Sequence, residues 1–97
     1  MPTYLMLCNW TNQGIRNVKD VPTRARQAEQ LAEKMGCKIV GVFMTIGQYD
    51  LTIRLEAPDD AALARFALSV AAQGNIRTTT LKAFTREEFE QIIGSLA

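Results

Sequence analysis

KIVGVFMTIGQYDLTIRLEA, running from Lys38 to Ala57, holds two β-rich runs joined at a glycine. The first, Lys38–Ile46, is apolar at nearly every position. The second, Tyr49–Ala57, alternates, with Leu51, Ile53 and Leu55 on one face and Thr52, Arg54 and Glu56 on the other. A period of two marks a strand with one covered and one wet face. Gly47-Gln48, with glycine first, suits a type II′ hairpin turn. A hairpin in mid-chain is the anchor from which the rest of the fold is read.

Upstream, Ala25, Ala28, Leu31, Ala32 and Met35 follow helical spacing, Pro22 sits where helices start and Gly36 where they end. Residues 15–20 are read as a single helical turn. Thr3–Trp10 reads as a strand bounded by Pro2 and the turn signal Thr11–Gly14. Downstream, Pro58-Asp59-Asp60 opens a helix whose buried stripe is Leu63, Phe66, Ala67 and Val70, and Gly74 ends it. Ile76–Phe84 is a threonine-rich strand. Thr85-Arg86-Glu87-Glu88 is a capping box that starts a short terminal helix carrying Phe89, Ile92, Ile93 and Leu96 on one side.

The order β-α-β-β-α-β-α predicts one α+β domain over residues 1–97, of the ferredoxin-like βαββαβ type with a C-terminal helix. Its four-stranded antiparallel sheet has the order 4-1-3-2, with both crossover helices on one face. The opposite face is then bare, yet strands one and two are apolar on both sides. In strand one, Leu5 and Leu7 oppose Tyr4, Met6, Cys8 and Trp10. In strand two, Ile39, Gly41 and Phe43 oppose Val40, Val42, Met44 and Ile46. The simplest cover is a second copy across a two-fold axis, so a homodimer through the helix-free sheet face is expected. The alternative cover is the terminal helix folding back, but one short helix is too small for four strands.

Eleven basic and ten acidic side chains leave a net charge of +1. Nucleic-acid binders carry a basic excess, so no nucleic-acid partner is expected. There is no histidine, which removes His-ligated metals and any Ser-His or Cys-His pair. No metal or other cofactor is expected. Cys8 and Cys37 lack a C-x-x-C spacing and read as buried, reduced hydrophobes. The strand order holds them beyond the ~7 Å Cα separation a disulfide tolerates. No apolar run reaches the length of a membrane span. A cytoplasmic protein with no membrane partner is the expectation.

Topology gathers Asn9, Trp10, Thr11, Gln13, Gly14, Gly47, Gln48, Tyr49, Asp50, Asn75, Arg77 and Thr78 at one end of the sheet. Polar and aromatic groups on the rim of an apolar body suit a small-molecule site. Plain readings stand beside this one. Gly14 and Gly47 serve tight turns, the asparagines cap or bond loops, and Trp10 and Tyr49 are core edge with a wet tip. Asp50 pairs with turn amides or with Arg77. The Asp59-Asp60 pair is read as a helix start and not a catalytic dyad.

Asn9-Trp10-Thr11, Gln13-Gly14-Ile15, Gly47-x-Tyr49-Asp50, Glu56-Ala57-Pro58-Asp59-Asp60, Gly74-Asn75-x-Arg77-Thr78-x-Thr80-Leu81 and Ala83-Phe84 together closely resemble the GYD domain family, named for its Gly-x-Tyr-Asp stretch. The resemblance spans nearly the whole chain. It implies a ferredoxin-like, dimeric α/β-barrel fold in a small bacterial or archaeal cytoplasmic protein, and no particular reaction. Three functions follow as expectations. A polar or anionic metabolite binds at the motif end, with Arg16 and Arg77 supplying charge and Asn9, Tyr49 and Asp50 orienting it. Alternatively, the chain is a cofactor-independent oxygenase or isomerase with Tyr49 and Asp50 as acid–base candidates. Alternatively, it is an assembly or regulatory module forming higher oligomers.

Overall fold

A computed structural model describes residues 1–97. The elements are β1 (Thr3–Trp10), α1 (Asn12–Arg16), a 3-10 turn (Val18–Asp20), α2 (Val21–Lys34), β2 (Lys38–Met44), β3 (Leu51–Glu56), α3 (Asp60–Ala72), β4 (Ile76–Ala83) and α4 (Arg86–Gly94). The four strands form one antiparallel sheet in the order β2-β3-β1-β4, the expected 4-1-3-2 read from the other edge. The sheet is open, so one chain makes no barrel by itself.

The core lies between the sheet and the two longer helices. It joins Tyr4, Met6 and Cys8 of β1, Leu55 of β3, Ala32 of α2, and Ala62, Leu63 and Phe66 of α3. Asp59 caps α3, its carboxylate accepting the Ala62 N–H at 2.8 Å. Gly36, at φ +76°, closes α2, where a side chain would be strained. Both cysteines are free and buried. No helix is long and apolar enough to cross a membrane.

Four local expectations are corrected. Thr11–Gly14 is not a turn but the start of a helix. Thr11 is the N-cap of α1, its hydroxyl accepting the Gly14 N–H at 3.0 Å, because residues that favour turns also favour N-caps. The 15–20 turn is correspondingly split between the end of α1 and the 3-10 turn. The β2–β3 hairpin is closed by Thr45 N–H to the Asp50 carbonyl at 2.9 Å, which leaves a four-residue loop, 46–49, in place of a two-residue turn.

The fourth correction concerns β2. Its register with β3 shifts between Ile39 and Gly41, leaving Val40 as an unpaired extra residue. A bulge of one residue inverts the alternation beyond it. Ile39, Val42 and Met44 stand opposite Leu55, Ile53 and Leu51, which in turn stand opposite Tyr4, Met6 and Cys8. All of these face the helices. The helix-free face carries Leu5, Leu7, Phe43 and Leu81, with Thr52, Arg54, Thr79 and Arg77 around them.

That face is uncovered. Phe43 is 63% exposed and Leu81 48%. None of the residues of α4 is buried, so the terminal helix does not fold back over it.

Candidate functional site

Most of the sequence-selected residues do meet at the end of the sheet where β1 stops, and they form two clasps. The first ties the β1–α1 corner to the α3–β4 corner. Thr11 N–H donates to the Asn75 carbonyl at 3.1 Å and the Thr11 hydroxyl donates to the Gly74 carbonyl at 2.6 Å. The Gln13 amide donates to the Asn75 side-chain oxygen at 2.9 Å and the Gln73 carbonyl at 3.2 Å. Gly14 is buried against this corner. A Cβ added there would stand 1.9 Å from the Asn75 carbonyl oxygen, so the backbones can close only over a glycine.

The second clasp is built by the hairpin. Asp50 N–H donates to the Cys8 carbonyl at 2.9 Å, and the Asp50 carboxylate accepts the Trp10 N–H at 3.0 Å. The carboxylate stands in for the next carbonyl of the ladder and finishes β1, whose last amide would otherwise be unpaired. The expected partners, turn amides or Arg77, are not the ones it has. Gly47 bends the loop at φ +137°, where L side chains are disfavoured. Tyr49 contributes its carbonyl, which accepts the Thr45 hydroxyl.

Asn9, Arg16 and Arg77 stay apart from these clasps. Asn9 and Arg77 are register partners on the helix-free face. Arg16 and Arg77 are exposed and in no ion pair. A charged anion cradle is therefore not preassembled.

Beside the clasps, under α2, lies an apolar cleft of about 100 Å³. Met6, Trp10, Ala28, Ile39, Val42 and Phe66 form its walls, and Arg24, Glu29, Gln73 and Asn75 its polar rim. It exists because α2 presents alanines, Ala25 and Ala28, to the sheet. In sequence this stripe reads as plain core; its small side chains are the signal that room is left. Trp10 and Asn75 belong to both clasp and cleft, whereas Tyr49 and Asp50 do not line it. Sites for drug-sized ligands run to ~300 Å³ and above. This cleft suits a few heavy atoms and not a polyketide ring system, and the proposed acid–base pair does not reach it.

One cluster at the opposite end escapes the sequence reading. The buried Tyr4 hydroxyl donates to the Asp60 carboxylate, which also meets Lys82 at 3.3 Å. Tyr4 and Lys82 are register partners across β1 and β4, and Asp60 sits one residue past the Asp59 cap, facing them. The antiparallel register is the signal that could have found it. The Asp60 hydrogen bond, with burial, pushes the Tyr4 phenol up to about 12. Tyr4 and then Lys82 hold the Asp60 carboxyl below its ordinary range. Burial pushes the Cys8 thiol up to about 11 and the Cys37 thiol upward too. Neither is a ready thiolate at neutral pH.

The sequence pattern of the GYD domain matches residues 4–93. The chain is also similar to the glutamine synthetase and cystathionine beta-lyase binding protein of Thermus thermophilus. The two are 33% identical over 84 residues, which cover 86% of this chain and 88% of that protein.

Proposed function

The chain belongs to the GYD domain family, and from that membership we propose that it is a homodimeric binding protein whose partner is a metabolic enzyme. The Thermus relative carries the name of a protein that binds two enzymes, glutamine synthetase and cystathionine beta-lyase. The observation that carries the reading is surface. A compact chain of this mass exposes about 5,500 Å², whereas this one exposes 6665 Å². The excess, roughly 1,100 Å², exceeds the ~800 Å² each partner contributes to a standard interface. Exposed large apolar side chains stand on the helix-free face (Phe43, Leu81), at the end of β2 and its hairpin loop (Met44, Ile46), on α3 (Leu68) and on α4 (Phe89, Ile92, Ile93).

The dimer uses the helix-free face, and the rest of the molecule is left to meet the enzyme. The polar side chains of the motif end that form hydrogen bonds spend them internally, which favours a shaping role over chemistry. The test is calorimetric titration of the purified protein into purified glutamine synthetase and cystathionine beta-lyase from the same organism. Saturable binding to either supports the reading; no heat and no co-elution with either enzyme overturns it.

A second reading rests on the cleft. A small ligand of a few heavy atoms, its apolar part against Trp10 and its polar part at Arg24, Glu29 or Asn75, would make the protein a metabolite-responsive binder. Ala28→Leu fills the cleft, so a ligand that raises the melting temperature of the wild type should leave that variant unmoved.

A further inference from the structure

Two charged side chains stand on the rim of the cleft under α2, and neither is in an ion pair. Arg24 is half-buried, and its guanidinium donates to the Asn17 carbonyl at 2.9 Å. A guanidinium is a fixed fork of several N–H donors, so this bond holds the fork in place with most of its donors unspent. Asn17 in turn donates through its side-chain amide to the Gln13 carbonyl at 3.0 Å, and the Gln13 amide donates to the Asn75 side-chain oxygen at 2.9 Å. That chain of bonds ties the first turns of α2 to the α3–β4 corner. The Asn75 oxygen is taken, and its amide NH2 remains to donate. Arg24 and Asn75 thus supply donors at one end of the cleft. Glu29 is exposed and stands farther along α2, by ~7.5 Å of helical rise.

We propose that the cleft takes a short aliphatic monocarboxylate, its chain against Met6, Trp10 and Phe66 and its carboxylate on Arg24 and Asn75. This rests on the second reading above, a small-ligand cleft, and names the ligand class. Volume sets the chain length. A dry cavity of ~150 Å³ holds benzene. The cleft, at about 100 Å³, holds by that proportion a tail of about four carbons, as in pentanoate or 3-methylbutanoate. The rim sets the charge. An arginine fork matches a carboxylate with two parallel hydrogen bonds, whereas an ammonium would meet further donors there. A second carboxylate would lie against the apolar wall or toward Glu29, and an unpaired charge in either place is unfavourable. The acid therefore carries one carboxylate.

Trp10 is the one tryptophan of the chain and lines the cleft, so its emission reports occupancy in the full-length protein. Pentanoate, pentanamide and pentylamine have one chain length and differ in charge. Pentanoate should change the emission saturably and bind at least tenfold more tightly than either of the others. Arg24→Gln should weaken pentanoate at least tenfold, and Ala28→Leu should abolish the response. Amide or amine binding as tightly as the acid, or pentanoate binding that Arg24→Gln leaves unchanged, overturns the acid and leaves the cleft a small-ligand site. The three probes on the wild type decide this even where a variant fails to fold. No saturable response to any of the three, or a pentanoate response that Ala28→Leu leaves unchanged, overturns both the acid and the cleft.

Discussion

At the residue scale, the motif that names the family is largely a set of backbone devices. Gly14 closes a corner in which no side chain fits, so Gly14→Ala should destabilise the protein by about 1–3 kcal/mol in urea unfolding, as overpacking does. Asp50 completes the β1 ladder. Asp50→Asn keeps an acceptor for the Trp10 N–H and should cost about 1 kcal/mol or less by the same measurement. Asp50→Ala strands a half-buried donor and should cost about 1–3 kcal/mol. Tyr49→Phe should leave stability nearly unchanged, since no hydrogen bond of its hydroxyl is at stake.

Tyr4 carries a pH prediction. Its folded pKa is raised from 10.0 to about 12. Its contribution is therefore fully present below pH 10 and lost as pH rises through about 12. Phenolate absorbance should show one tyrosine ionising late, and Tyr4→Phe should remove that step. Asp60 acts oppositely: its lowered pKa makes its contribution present at neutral pH and lost on acidification. Asp50, Gly47 and Gly14 are legible in the sequence as a group with one location. Their partners are not, because hydrogen-bond partners across a corner depend on angles that residue type does not encode. The Tyr4–Asp60–Lys82 cluster is hidden in the sequence because its three members are far apart and each has a sufficient local explanation.

At the element scale, the strands are legible to within one or two residues at most ends, and so is their order. Periodicity, capping residues and the handedness of crossover connections all point to the same topology. The hairpin loop and the β2 bulge are not legible. KIVGVFM is apolar throughout, so nothing in its pattern marks where alternation breaks. Without a bulge the strand would alternate strictly, and Ile39 would share a face with Phe43 in place of Val42. Deleting Val40 removes the extra residue itself and keeps Ile39, Val42 and Met44 in phase. The deletion should therefore cost less than the ~1.5–3 kcal/mol of one fully buried side chain of this kind, measured by urea denaturation. The bulge also decides which methionines matter to association. Met6 is core and Met44 is on the helix side, so neither lies on the helix-free face.

At the scale of the whole molecule, the chain is a one-sided core with too much apolar surface for a finished unit. A radius of gyration of 14.6 Å exceeds the ~12.5 Å expected of a compact domain of this length. The uncovered face is foretold in the sequence by Leu5 and Leu7. An uncovered α4 is not, because amphipathic spacing says that a helix packs and not on which chain. The cleft likewise depends on the distance between α2 and the sheet, which alanine content suggests but does not set.

The claim on which the rest depends is the dimer through the helix-free face. Sedimentation equilibrium on the wild type, Phe43→Glu and Met44→Glu tests it within one strand, on adjacent residues. The wild type should sediment as a dimer. Phe43→Glu, which sets a carboxylate into the interface, should sediment as a folded monomer, and Met44→Glu should remain a dimer. A monomeric wild type, or a dimer that Phe43→Glu leaves intact, would contradict the account.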